Sequence, residues 1–176
     1  SEQLSRMDEP NVAWEANRQA FFLYVLAEAG KDIGAEADAL IEAHRGLLDP
    51  YAKALLILAY DAAGIQSENQ QTLLANLNDE VVLSATGAHW EDADQDFFNL
   101  SSDVRGTAMV IDALSQVEPD NALLPGAVRW LMAARTAQVW STGHETAWSI
   151  LALADWMQAS GELSADYSYQ VGLNTV

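Results

Sequence analysis

His89, Glu91, Asp92, Asp94 and Asp96 bring one imidazole and four carboxylates together within eight residues. Oxygen donors at every second position suit a calcium ion, and Asp92, Asp94 and Asp96 have the spacing that opens a calcium loop. The rest of such a loop is missing: its sixth position, where the chain must turn sharply, is Phe97 in place of Gly, and its twelfth is Asp103 in place of a bidentate Glu. We therefore expect no metal and no cofactor, with Asp92, Asp94 and Asp96 as weak calcium candidates only. The same carboxylates would suit general acid–base chemistry, but that needs a second group facing them across a cavity, and no other segment offers a convincing partner. An exposed acidic hairpin is the simpler expectation.

Ser141, Thr142, His144 and Glu145 include the residue types of a nucleophile and its base. Residues so close in sequence rarely make a triad, and capping of a following helix by Ser141, Thr142 or His144 accounts for them. No catalytic residue is expected. His44, beside Arg45 and Gly46, suits the negative end of a helix. Arg105 and Arg129 are expected to pair with carboxylates between helices. Trp14, Trp90, Trp130, Trp140, Trp148 and Trp156 fall at different helical phases, which favours packing over an aromatic-lined sugar or lipid cavity. The chain has no Cys, so it holds no disulfide, no thiolate zinc site and no cysteine nucleophile.

Stepping out to the segments that carry these residues, apolar positions recur at helical spacing between punctuating Gly, Pro, Asp and Ser. One helix is expected over Val12–Ala29, with Ala13, Ala16, Ala20, Leu23 and Ala27 on one face and Gly30 as its stop. A second fits Glu36–Gly46. In a third, Asp49 caps, Pro50 takes the first turn, Ala52, Leu55, Leu56, Ala59 and Ala63 face inward, and Gly64 ends it. Ser67 and Glu68 open a fourth bearing Leu73, Leu74 and Leu77. Val81–Leu83 then reads as a strand ending at Thr86 and Gly87, the start of a β-like insertion over residues 81–100. Asp103 is expected to cap a fifth helix that runs through Val117 to Pro119. Leu124 and Pro125 open a sixth with Val128, Leu131, Met132 and Arg135, and a seventh runs from Glu145 to Ala159 and stops at Gly161. Tyr167, Tyr169 and Val171 alternate with polar residues as in a strand.

Four of these helices share Ala, five residues, then Leu: Ala20–Leu26, Ala52–Leu58, Ala108–Leu114 and Ala147–Leu153. The first Ala positions step by 32, 56 and 39 residues, the long middle step containing the insertion. Pairs of helices that bury their stripes only by stacking on the next pair explain this spacing, and such pairs either close into a ring or continue as an open solenoid. The expected fold class is all-α: paired-helix repeats of part of an α/α toroid over residues 1–161, with residues 162–176 as an extended tail.

The words Leu123-Leu-Pro-Gly-Ala-Val-Arg-Trp-Leu-Met132, then Trp140-Ser-Thr-Gly-His-Glu-Thr-Ala-Trp148, resemble the last helical repeats of the thioester domain in the alpha-2-macroglobulin and complement family. Asn99-Leu-Ser-Ser-Asp-Val-Arg-Gly-Thr-Ala108 resembles the repeat before them, and the likeness spans roughly residues 52–160. The tail from Leu163 to Asn174 is similar to the strand that leaves this domain for a neighbouring β-sandwich. The resemblance implies a bacterial protease-trapping endopeptidase inhibitor, extracellular or periplasmic, whose partners are its own neighbouring domains and the trapped protease. In many members a Cys–Gln thioester acylates the attacker. This chain has no Cys, so no reactive residue carries over, and the expectation is a non-catalytic piece of the parent.

Eight Lys and Arg against 26 Asp and Glu give a net charge of −18, which repels nucleic acid and anionic membranes. Apolar runs such as Ala54–Tyr60 are far below the roughly 20 residues of a membrane helix, and Ser1–Glu9 lacks the apolar stretch of a signal peptide. The alternatives are a toroidal carbohydrate- or isoprenoid-processing enzyme using the acidic loop, and a helical-repeat interaction module.

Overall fold

Small residues one turn apart give the first helix a flat face: Ala16, Asn17, Ala20, Leu23 and Ala27 of α1 (Ala13–Glu28) are buried, while Ala13, expected on that face, is exposed. The computed structural model describes residues 13–93 and 99–162. α1 leads to α2 (Gly34–His44), a 3-10 turn at Arg45–Leu47, α3 (Pro50–Ala62) and α4 (Glu68–Asp79). A hairpin of β1 (Val82–Ser84) and β2 (Gly87–His89) precedes α5 (Asp103–Val117), α6 (Leu124–Ala133) and α7 (Gly143–Ala159). The described chain is thus all-α apart from one two-stranded antiparallel sheet, in which Val82 faces His89 and Ser84 faces Gly87.

Two helices form the centre. α3 is buried without interruption from Pro50 to Tyr60, and α5 from Arg105 to Ser115. A helix with no exposed face has to be covered on every side. α3 packs on α1, α5 and α4, and α5 packs on α3, α7 and α6. The order α1, α3, α5, α7 therefore forms a row, with α2 against α1, α4 against α3 and α6 against α5. α3 stops where Gly64, at φ +66°, lets Ile65 N–H reach back to the Tyr60 carbonyl at 2.9 Å, closing the orphan carbonyls of the last turn.

The shared Ala–Leu spacing holds in α3 and α5 but slips in α7. There the buried positions are Glu145, Ser149 and Ala152, with Trp156 half-buried, and Ala147 is exposed. These positions have the same spacing as Ala16, Ala20, Leu23 and Ala27 in α1, so Ser149 is the structural counterpart of Ala20. Composition misled the register because Ser149 fits against α5 as closely as an Ala.

Three helix ends differ from expectation. Ser102, not Asp103, caps α5, its hydroxyl accepting from Arg105 N–H at 3.2 Å, while Asp103 is the first helical residue. Asp49 stands at the cap position of α3 without using its side chain to cap. Arg135 lies beyond the end of α6, where residues 136–139 turn back on themselves with Ala137 and Gln138 at positive φ. The expected tail strand, with Tyr167, Tyr169 and Val171, lies outside the described residues.

Candidate functional site

Asp94 and Asp96 also lie outside the described residues. Asp92 stands at the first turn of α5, its Oδ1 3.6 Å from where a Cβ on Gly106 would be, and a carboxylate is favoured at that positive helix end. Among the described residues no three His, Asp or Glu side chains gather closely enough to hold a metal ion. His89 and Glu91 do meet, Nε2 to Oε1 at 3.0 Å, but the imidazole is stacked face to face on Trp130, with centroids 4.4 Å apart.

The hairpin is not the exposed element expected. All of β2 is buried, against α6, and only β1 faces water, with Leu83 exposed. Trp90 is buried beside it and donates from Nε1 to the Leu77 carbonyl at 2.7 Å. The approach is close because both backbones lack side chains at the contact: a Cβ on Gly87 would stand 2.1 Å from the Gly126 carbonyl oxygen. Arg129 Nε donates to the Thr86 carbonyl at 3.2 Å and ties down the turn.

The residues at 140–145 are structural as well. Trp140 Nε1 donates to the Leu131 carbonyl at 3.0 Å, closing α6. Thr142 and Glu145 form a capping box: Thr142 Oγ1 accepts from Glu145 N–H, and Thr142 N–H donates to a Glu145 carboxylate oxygen, each at 3.1 Å. This leaves Ser141 and His144 exposed without a base or acid poised between them. His44 ends α2 as expected.

Asp49 is diverted from capping by a buried partner. Asn17 Nδ2 donates to Asp49 Oδ2 at 2.5 Å, Asp49 N–H donates to Asn17 Oδ1 at 2.9 Å, and Ala93 N–H donates to Asp49 Oδ1 at 3.1 Å. One carboxylate thereby holds α1, α3 and the chain leaving the hairpin together. Lys53, also buried, reaches both oxygens of Glu80 at 2.6 Å and joins α3 to the end of α4. Asp38 accepts from Tyr60, Asn69 and Ser67, which holds its carboxyl below the usual range and joins α2, α3 and α4.

Two arrangements were not visible in the sequence. The first is carboxyl-rich: Asp112 of α5, 1% exposed, lies against Asp155 of α7, and Gln116 Nε2 reaches Asp112 at 2.9 Å and Asp155 at 3.5 Å. Burial is the main cause that pushes the Asp112 carboxyl up to about 7; a hydrogen bond from Asp155 and the charges of Asp155 and Glu28 add to it, and the Gln116 amide opposes it. The phenol of Tyr24 nearby is raised to about 12, by burial first and then by Glu28, Asp112 and Asp155. A neutral carboxyl of this kind is suited to donating a hydrogen bond at neutral pH.

The second is a cavity of about 270 Å3 where the first turns of α3, α5 and α7 converge on α1. Tyr51, Arg105 and His144 come from those turns, Asn17, Arg18, Phe21 and Phe22 from α1, and Leu55, Asn99, Leu100 and Met109 complete the wall. Contrary to expectation, neither Arg105 nor Arg129 pairs with a carboxylate among the described residues; both bond backbone carbonyls. Arg105 is 4% exposed, lies 4.4 Å over the Tyr51 ring, and donates from Nη1 to the Asn99 carbonyl. A larger polar groove of about 340 Å3 lies between α4 and the C-terminal ends of α3 and α5, lined by Gln66, Gln70, Gln71 and Gln116 among others. Asp112 lines neither.

No protein-family model matches the chain, and no curated protein matches it at a significant level. Among the described residues no helix is long and apolar enough to cross a membrane.

Proposed function

We propose that this chain is a non-catalytic part of a bacterial alpha-2-macroglobulin-like protease trap, extracellular or periplasmic, and that it supplies the C-terminal repeats of the helical toroid. The observation that carries the reading is the alternation of packing: α1, α3, α5 and α7 side by side, with α2, α4 and α6 each laid on the inner helix before it. Repeats of this kind build a curved wall.

The motif words behind the resemblance have matching mechanical positions. Val128-Arg129-Trp130-Leu131 lies on α6 and carries the hairpin through the His89–Trp130 stack. Trp140 closes α6, Thr142 and Glu145 start α7, and Trp148 contacts Tyr24 of α1 at 6.5 Å between ring centroids. Residues that suggested chemistry are instead engaged in caps and stacks, which favours a rigid body that moves with its neighbours when the parent is cleaved. The observation favouring a toroidal enzyme is the Asp112–Asp155 pair, but Asp112 is sealed from substrate at 1% exposure.

The coding sequence on both sides of the chain tests the reading. Macroglobulin-like β domains upstream and downstream are expected, and a Cys-x-Glu-Gln word upstream adds covalent capture; a start codon adjoining Ser1 together with a stop after Val176 contradicts it.

A further inference from the structure

A protein with eight Lys and Arg in 176 residues gathers two of them, Arg18 and Arg105, and one of its three His, His144, around a single cavity whose lining contains no carboxylate. The first turns of three helices point their partial positive charge toward the same space. The nearest acidic groups are already engaged, Asp49 by Asn17 and Ala93, and Glu145 by the cap of α7.

Within this positive setting Arg105 carries a specific vacancy in its bonding. Its Nε and Nη2 are buried and have no hydrogen-bond partner among the described residues. These two nitrogens form the side edge of the planar guanidinium, and their N–H groups run parallel, the fork that takes both oxygens of a carboxylate. A buried cation with an unfilled fork is costly, so a ligand that fills it gains the full strength of a desolvated, charge-assisted pair.

The rest of the wall defines the ligand's other end. Phe21, Phe22, Leu55, Leu100 and Met109 offer apolar surface and no donors for further oxygens, which disfavours phosphate or sulfate. Phe21 and Phe22 are 41% and 42% exposed and stand at the rim. We infer that the Arg105 cavity binds a small organic acid, its carboxylate on Nε and Nη2 of Arg105 and its apolar body against Phe22 and Met109. The site is independent of the proposed trapping role.

Isothermal titration of the whole chain with 3-phenylpropionate and with octanoate, beside their primary amides and inorganic phosphate, tests this. Saturable binding of at least one acid is expected with Kd below about 1 mM, the amides and phosphate binding about tenfold more weakly or worse. Arg105→Met is expected to reduce acid binding by about tenfold or more while melting no lower than the parent, because it removes an unpaired buried charge. Phe22→Ala, at a position already half in water, is expected to weaken binding and leave the fold intact. Equal binding of acid and amide, retention of affinity in Arg105→Met, or no saturation by either acid at millimolar concentration overturns the inference.

Discussion

At the residue scale the sharpest prediction concerns Asp112. Its folded carboxyl holds a proton up to about pH 7, whereas in the unfolded chain it releases it near pH 4. The native state therefore binds the extra proton between those values, and the stabilisation this gives is complete below about pH 4 and lost as pH rises through about 7. Asp112→Asn keeps the shape and the neutral state. Thermal melts of the two proteins are expected to converge near pH 5 and to separate above about pH 7, with the variant the more stable; parallel melting curves across that range contradict the pairing with Asp155. A second residue-scale test separates the capping role of Thr142 from a catalytic one. Thr142→Ala is expected to lower stability by about 1 kcal/mol, and Ser141→Ala to change it by less than about 0.5, read by urea unfolding. The capping role was legible because it is local, within four residues. The Asp112–Asp155 pair was not: an Asp inside the run Val110-Ile-Asp-Ala-Leu114 is a visible anomaly, yet its partner lies on α7 and is chosen by the packing of α5 on α7.

At the element scale, helix existence and most stops were legible, because apolar stripes, Pro at first turns and Gly at ends act within one segment. What the sequence did not disclose was set between segments. The hairpin read as exposed because its acidic continuation is polar, while its burial depends on Gly126 and Trp130 of α6. Gly87→Ala is the corresponding test. Gly87 sits at φ +144° and its added Cβ meets a backbone oxygen, which only movement of the whole hairpin relieves. A loss of about 2 kcal/mol or more is expected, with a change in Trp90 fluorescence as its indole leaves the Leu77 carbonyl; an unchanged melt contradicts the docked hairpin. The slipped register of α7 has the same origin. Ser149 is as acceptable as Ala at a tight helix contact, so small-residue spacing identified the helix without fixing which face is buried.

At the scale of the whole molecule, the central claim is that paired helices form part of the wall of a protease trap. Trapping by physical enclosure predicts a specific asymmetry: a caged protease keeps its active site and loses access to large substrates. The direct measurement is to incubate the full-length parent protein with a serine protease, and then assay the mixture on a small chromogenic peptide and on a large protein substrate. The account predicts that cleavage of the peptide continues while cleavage of the protein is suppressed. Equal activity on both substrates, or equal loss on both, contradicts it.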